Sequence, residues 1–375
     1  MTYEWNHSTI NDVCVLVTDG SHSSPKSVND GKYMVSVKDF TDYGFDFASC
    51  RMISNDDYET LKRNGCVPQI DDILIGKDGA RFFEDIIIYR QREKPALLSS
   101  IAILRCDKSK ILPDFLYYVL RTPSFRQDVK DNYGSGSAIP RIILKDFKRM
   151  MVSYPSLEKQ QAIISVLTAI DSKIQANTEI NDNLELQAQA IYSYMFIENA
   201  DPAWVQGHLS DLITVKYGKD HKKLADGSYP VYGSGGIMRY VERPLYDKES
   251  VLIPRKGTLN NVMYINQPFW SVDTMFYTEM RLPNVAKFVY HFVKAKNLAS
   301  MNAGSAVPSM TTDILNAMEV VIPSTSALAE FESLVDPMYR AMQENNIQSS
   351  KLSELRDALL PRLMSGEIDV SDIQL

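Results

Sequence analysis

The sequence has few residues of the kinds that build catalytic or metal sites. Its five histidines are scattered, and none stands with carboxylates at a metal-ligand spacing. The motifs G-x-S-x-G and H-E-x-x-H are missing, as are an Asp/Asn-Pro-Pro-aromatic run and a glycine-rich AdoMet loop. Because hydrolases, zinc proteases and methyltransferases need such motifs, we expect a chain without enzymatic activity, bound metal or cofactor.

Cysteines and long apolar runs are also scarce. The four cysteines, Cys14, Cys50, Cys66 and Cys106, are widely spaced and form no metal-type pair, so we interpret them as reduced thiols. No run of roughly 18 or more apolar residues occurs, which argues against a membrane span. The N-terminal MTYEWNHSTIND is unlike a signal peptide. These observations predict a cytoplasmic protein with no membrane partner.

The net charge of −7 is distributed unevenly along the chain. Residues 1–155 have no net charge and residues 201–323 carry +2, whereas residues 156–200 carry −4 and residues 324–375 carry −5. The neutral to basic parts are therefore available to phosphates, and the acidic parts are suited to other contacts.

A long amphipathic segment, residues 156–200, lies in the middle of the chain. Its apolar residues recur at alternating spacings of four and three, which is typical of a coiled-coil seam, and Asn177 is a polar seam position that would fix the register. The residues predicted to pair are Ile163, Leu167, Ile170, Ile174, Asn177, Leu184 and Ile191. Such a stripe needs a partner helix.

The partner is a second copy of the segment, 168 residues later. GSAIPR at 136–141 recurs as GSAVPS at 304–309, and the register continues into a second helix. Its pairing residues are Phe331, Val335, Met338, Met342, Asn345, Leu352 and Leu359. Earlier segments recur at offsets that fall from 199, which indicates extra residues in the first copy, mostly between Tyr33 and Asp72.

The repeat predicts four successive parts. Residues 1–155 and 201–323 form mixed α/β (α+β) globules as tandem pseudo-repeats, and each is followed by a long helix, at residues 156–200 and at 324–375 with a C-terminal tail.

Three loops rich in glycine and basic residues are candidate phosphate sites: IGKDGAR (75–81), IPRKGTL (253–259) and YPVYGSGGIMR (229–239). Glycines let backbone N–H groups approach a phosphate, and neighbouring Lys or Arg add charged hydrogen bonds. Together with nearby basic clusters they give the candidate DNA contacts Lys77, Arg81, Arg90, Arg92, Arg141, Lys145, Lys148, Lys216, Lys219, Lys222, Lys223, Tyr232, Ser234, Arg239, Arg255 and Lys256. A hairpin turn with solvated charge is the alternative for each loop, and a solvated surface is the alternative for each cluster.

In combination, these features resemble the specificity (S) subunit of type I restriction–modification systems. The GSAIPR and GSAVPS segments, AQAIYSYMF (188–196) and LLPRLMSGEIDV (359–370) are the parts most typical of that family. YPVYGSGGI and VLIPRKGTL resemble its target-recognition domains. The resemblance implies two such domains, each reading half of a bipartite sequence in double-stranded DNA. It also implies two helices that pair as an antiparallel coiled coil and set the spacer.

The resemblance implies partner subunits that contain the chemistry. Two methyltransferase (M) subunits would carry AdoMet, and restriction (R) subunits would use ATP and Mg for translocation and cleavage. Two other interpretations stay open, namely a recognition subunit of a related modification-only or defence system, and an assembly scaffold whose globules bind protein. Salt-dependent DNA binding distinguishes the scaffold from the recognition subunits.

Overall fold

The computed structural model describes residues 4–79, 81–134, 140–301 and 309–370. Most of the GSAIPR and GSAVPS motifs, residues 136–139 and 304–308, lies outside the described residues. The chain divides into two compact units, Met1–Gln175 with Gln348–Leu375, and Ala176–Ile347. Each unit contains one globule and part of each long helix.

The first globule mixes short strands and helices. Its strands are β1 (Asn6–Thr9), β2 (Cys14–Asp19), β3 (Lys32–Val35), β4 (Phe40–Thr41), β5 (Gly44–Phe45), β6 (Arg51–Ile53), β7 (Ile73–Gly76), β8 (Ile86–Ile88), β9 (Ala96–Leu97), β10 (Ile101–Cys106) and β11 (Met151–Tyr154). Its helices are α1 (Ile10–Val13), α2 (Asn55–Arg63), α3 (Pro113–Arg121), α4 (Pro123–Asn132) and α5 (Leu144–Arg149). An antiparallel sheet in the order β2-β10-β7-β8 is central, and the sets β6-β3-β9, β1-β11 and β4-β5 accompany it.

Apolar runs explain the central sheet. Strand β7 is buried along its whole length, which is the pattern of a strand covered on both faces. Helix α3 begins with Pro113, whose fixed φ suits the first helical position, and it buries Phe115 and Leu116 in the same core. All four cysteines are free, and three of them are buried, in agreement with the sequence analysis.

The first long helix, α6 (Leu157–Ser193), starts close behind β11 and continues as a π-helical turn at Tyr194–Glu198. Gln160 near its start is fully buried. The Gln160 Oε1 accepts a hydrogen bond from the Leu112 N–H at 2.8 Å, and its Nε2 donates to the Lys110 carbonyl at 2.9 Å. Because both the oxygen and the nitrogen of this buried amide are hydrogen-bonded, Gln160 holds the start of α6 against the first globule.

The second globule has the strands β12 (Val205–His208), β13 (Ile213–Tyr217), β14 (Asp226–Gly233), β15 (Gly236–Val241), β16 (Ser250–Pro254), β17 (Met263–Ile265), β18 (Trp270–Ser271), β19 (Met275–Met280) and β20 (Glu319–Ile322). Its helices are α7 (Leu209–Leu212), α8 (Ala286–Lys294) and α9 (Thr312–Asn316). The sheets have the orders β13-β19-β16-β17, β15-β14-β18 and β12-β20.

The two globules share one topology, as the internal repeat predicts. Asn6 pairs with Tyr154 in the first globule, and Val205 pairs with Ile322 in the second. These partners are related by the offsets 199 and 168 found in the sequence. Two additional elements of the first globule, α2 and the β4-β5 hairpin, fall in the segment where the offsets predict extra residues.

The last helix is α10 (Thr325–Met364), and it pairs with α6. In the second unit, Asn177 Nδ2 donates to the Asn345 carbonyl at 3.3 Å, and Asn181 Nδ2 donates to the Met342 carbonyl at 3.4 Å. Higher numbers on α6 therefore meet lower numbers on α10, so the helices are antiparallel. Asn177 is fully buried and meets its own counterpart in the repeat, at a seam position where an amide fixes the register.

None of the residues predicted to pair is exposed. Six are buried, namely Ile163, Leu167, Ile170, Asn177, Phe331 and Val335. The others are half-buried, namely Ile174, Leu184, Ile191, Met338, Met342, Asn345, Leu352 and Leu359. Over the part of the chain that the structure describes, no helix combines the length and apolarity needed to cross a bilayer.

Candidate nucleic-acid interface

The loop IGKDGAR connects β7 to β8, and its counterpart IPRKGTL connects β16 to β17. A glycine lies at the equivalent point of each turn, Gly79 with φ 97° and Gly257 with φ 87°. This left-handed backbone region favours glycine, because a Cβ would clash there. The two loops therefore share one turn, which we call the glycine turn.

Each glycine turn is joined to the segment that leads into the last strand of its globule. The Ile142 N–H donates to the Lys77 carbonyl at 3.0 Å, and the Met310 N–H donates to the Arg255 carbonyl at 2.9 Å. Equivalent β-bridges join Asp78 to Arg141 and Lys256 to Ser309. In the first globule the fold thus brings the predicted loop together with the predicted basic cluster at 141–149.

Lys77 points inward and is only 1% exposed. Its Nζ lies 3.3 Å from an Asp19 carboxylate oxygen and 3.7 Å from one of Asp78. A buried ammonium paired with two carboxylates is a structural element. Lys77 therefore does not reach a phosphate, contrary to the prediction from the sequence. At the equivalent position, Arg255 is half-buried and its guanidinium lies 5.4 Å from the centre of the Tyr217 ring.

Arg81 is exposed but bonds to a carboxylate of its own globule. Its Nη2 donates to Asp85 Oδ1 at 2.7 Å, and this hydrogen bond raises the pKa of the Arg81 guanidinium. Arg141 lies 3.8 Å from Asp78, which is a weaker pairing. Lys145 and Lys148 differ from these two arginines, because both are exposed on α5 and have no carboxylate partner within the described ranges.

Arg90 and Arg92 do not belong to this group. They follow β8 at the end opposite to Arg81, and three strand residues at about 3.3 Å each separate the two ends by roughly 10 Å. Arg90 donates to Asp114 at 2.7 Å and lies 3.4 Å from Asp71. The fold therefore separates these arginines from the glycine turn.

The second globule gathers lysines near its own glycine turn. Lys219, Lys222, Lys223 and Lys256 are exposed, and the structure gives them no carboxylate partner in the segments it describes. The contact between Arg255 and Tyr217 connects the turn with the end of β13, where this lysine run begins. The arrangement is a cationic surface, in which the one acid of the run, Asp220, accepts a hydrogen bond from the Lys222 N–H at 3.1 Å.

Two other predicted cations of the second globule are paired internally. Lys216 lies 3.6 Å from Glu279 on the neighbouring strand β19. Arg239 donates to Asp226 Oδ1 at 2.8 Å and to the Leu224 carbonyl at 2.9 Å. Both side chains therefore have structural partners in their own globule.

The third predicted loop is the turn of the β14-β15 hairpin. The Ser234 carbonyl accepts a hydrogen bond from Asn261 Nδ2 at 2.8 Å, and a Cβ placed on Gly257 would lie 2.7 Å from Ser234 Oγ. The hairpin turn and the glycine turn are therefore neighbours. Tyr232 is buried, its hydroxyl accepts from Gln267 Nε2 at 3.2 Å, and burial raises its pKa, so it supports the hairpin from inside.

Sequence reasoning missed Lys38. This exposed residue lines a groove of about 400 Å³ with Val37, Phe40, Gly76, Asp78, Gly79, Arg81 and Asp85. No sequence offset identifies it, because Lys38 falls in the segment between Tyr33 and Asp72 that holds most of the extra residues of the first copy. The groove brings Lys38 next to Gly79 of the first glycine turn.

A family model for the type I restriction modification DNA specificity domain matches the chain twice, over residues 3–186 and 203–344. Each match contains one globule and extends into the helix that follows it. Two copies of one domain therefore account for most of the chain.

Individual relatives have low sequence identity to this chain but match most of its length. The chain is 23% identical over 309 residues to the type I restriction enzyme MjaIX specificity subunit of Methanocaldococcus jannaschii, with 71% of each chain covered. It is 22% identical to the HindI specificity subunit of Haemophilus influenzae, over 71% of this chain and 80% of the relative. The type I S subunit from M. genitalium superposes with a TM-score of 0.56 at 17% identity, over 96% of each chain, which shows a shared fold.

Proposed function

Because this chain belongs to the type I restriction–modification DNA specificity family, we propose that it selects the DNA target of a type I complex. Each globule reads one half of a bipartite sequence on duplex DNA. The paired helices α6 and α10 hold the two readers and set the spacer between the half-sites.

The observation that carries this proposal is the repeated glycine turn. In both globules the turn is hydrogen-bonded through an equivalent carbonyl, of Lys77 or of Arg255, to the segment before the last strand. Exposed lysines lie beside it in both cases. Duplex DNA repeats its backbone and grooves with each helical turn, so two copies of one reading surface suit a target with two halves.

We assign phosphate contacts to the exposed cations near the glycine turns that lack strong internal partners, namely Arg141, Lys145, Lys148, Lys219, Lys222, Lys223 and Lys256. Such contacts position a protein on DNA without reading sequence. We assign contacts with base edges to Lys38 and Ser234, which lie on the loops that face the glycine turns. Lys77 and Tyr232, which are buried, are not retained in the set.

The chemistry belongs to partner subunits in this proposal. Two methyltransferase subunits bind the helices and carry AdoMet, and restriction subunits contribute ATP- and Mg-dependent translocation and cleavage. This chain contributes recognition and assembly, and it catalyses no step.

The experiment is single-molecule methylation sequencing of a host that expresses this chain with the M subunit encoded beside it. We expect a new bipartite adenine motif, absent from a matched host that has the M subunit alone. Both half-sites are then read from one data set. If the complex assembles but no motif appears, the chain does not direct modification, and the scaffold interpretation is favoured instead.

A further inference from the structure

Hydrogen bonds establish which residues of the two globules correspond beside the glycine turns. The Ser21 N–H donates to the Leu97 carbonyl at 2.7 Å, and the Lys219 N–H donates to the Ser271 carbonyl at 2.8 Å. Ser21 therefore corresponds to Lys219, at an offset of 198. On the opposite side of the turn, the equivalent bridges make Arg141 correspond to Ser309, at the offset of 168.

The two globules carry their cations on opposite sides of the turn. We call residues 20–25 and 218–223 the strand flank, and residues 141–149 and 309–317 the helix flank. On the strand flank, Lys219, Lys222 and Lys223 of the second globule replace Ser21, Ser24 and Pro25. On the helix flank, Ser309, Asp313, Asn316 and Ala317 of the second globule replace Arg141, Lys145, Lys148 and Arg149.

The glycine turn differs between the globules in the same sense as the strand flank, because the second globule has the additional cation there. Asp78 of the first globule, which faces Lys77 and Arg141, corresponds to the exposed Lys256 of the second. On the helix flank of the first globule, Arg141 and Arg149 lie 3.8 Å from Asp78 and 3.0 Å from Asp146, whereas the exposed Lys145 and Lys148 have no carboxylate partner within the described residues. Lysines that lie close together without such partners raise the free energy of a globule through mutual repulsion, and an approaching polyanion removes that repulsion. One such group occurs on a single flank of each globule, and the flank differs.

We propose that the two globules contact the phosphate backbone through non-equivalent flanks, the helix flank in the first globule and the strand flank in the second. The inference rests on the proposed function and deepens it, because it names the surface that meets the duplex in each globule. Although the globules share one topology, they approach their half-sites differently.

Equivalent positions allow a matched test with single substitutions to glutamate in the full chain. On the helix flank, Lys148→Glu is compared with Asn316→Glu in the other globule. On the strand flank, Lys222→Glu is compared with Ser24→Glu. All four positions are exposed or half-buried, and thermal unfolding followed by circular dichroism verifies that each variant folds.

The measurement is fluorescence anisotropy of a labelled duplex of arbitrary sequence, titrated with the chain over a series of KCl concentrations. A lysine at a phosphate contributes about 0.9 to the slope of log K against log salt. We therefore expect Lys148→Glu and Lys222→Glu each to lower that slope by about 1 and to weaken binding about eightfold near 0.1 M salt. Asn316→Glu and Ser24→Glu leave both quantities close to the wild-type values.

The outcomes separate this inference from the function on which it rests. A wild-type chain without salt-dependent DNA binding overturns the proposed function and the inference with it. If the wild-type chain binds but the two members of either pair lower the slope equally, the flanks are equivalent and only the inference fails. It also fails if either lysine variant binds like the wild type.

Discussion

The ion pair between Asp72 and Arg105 provides a stringent test of how the first glycine turn is supported. Asp72 immediately precedes β7, the strand that ends in the turn, and its side chain is fully buried, whereas that of Arg105 is 28% exposed. The guanidinium donates two hydrogen bonds, both of 2.8 Å, to the two carboxylate oxygens. Removal of one partner from a buried pair costs about 3–5 kcal/mol, because the other charge is left uncompensated.

The perturbation is Arg105→Met, which retains much of the side-chain volume but no charge. Since Arg105 is partly exposed and the Gln69 N–H still donates to Asp72 at 2.7 Å, we expect the lower end of the range, about 3 kcal/mol. For a unit of this size that loss corresponds to a fall of roughly 6–12 °C in melting temperature. Urea unfolding measures the total, and hydrogen exchange of the β7 and β10 amides locates it in the first globule.

Two matched variants sharpen the result. Arg90→Met removes an arginine that also pairs with aspartates but whose side chain is 53% exposed, so it should cost only about 0–1 kcal/mol. Adding Asp72→Asn to Arg105→Met removes the stranded charge and should recover part of the loss. Equal losses for Arg105→Met and Arg90→Met, or no recovery in the double variant, would refute the argument from burial.

Three further outcomes follow from individual contacts. Ile170→Asp places a charge on a buried seam position of α6 and should cost about 3 kcal/mol or more; co-purification of the M subunit is the readout, and undiminished recovery would contradict the role of the seam. Gly257→Val strains a backbone with φ 87° and approaches Ser234, so it should weaken DNA binding in the anisotropy assay, while Gly235→Ala, which meets open space, should not. Burial lowers the pKa of His291 to about 4, so the unfolded state binds more protons between that value and its usual 6.5; the second unit should therefore lose up to about 3 kcal/mol as pH falls through this window, and His291→Gln, measured by urea unfolding, should remove that dependence.

The architecture was predictable because the sequence contains two copies of the same pattern. The helix seam needs only the spacing of apolar residues, and a gapless match at 168 residues identifies both helices and the strands before them. The boundaries Leu157–Ser193 and Thr325–Met364 lie close to those expected. The sequence of strand β7 also carries a signal, since an apolar run without alternation is typical of a strand covered on both faces.

The interface was less predictable, because a basic residue in a glycine loop does not reveal its direction. Lys77 and Arg81 stand in one loop, yet the first is buried against Asp19 and the second is exposed. The partner of Lys77, Asp19, is 58 residues earlier in the chain, at the end of β2, which is separated from β7 by β10. Lys77 and Asp19 come together only through the sheet order β2-β10-β7-β8, which cannot be predicted from the spacing of residues in the sequence.

Comparison of the copies shows how such a site diverges. The carbonyl of residue 77 or 255 keeps its hydrogen bond in both globules, although the side chain changes from a buried lysine to a half-buried arginine over Tyr217. A backbone contact depends on the glycine turn and tolerates any side chain, whereas a buried ion pair requires both partners. In the second globule the ion pair is replaced by the contact of Arg255 with the Tyr217 ring and by a hydrogen bond from its Nη1 to the Asp273 carbonyl at 3.2 Å. The side chains around the turn can therefore differ between the copies while the backbone of the turn stays the same.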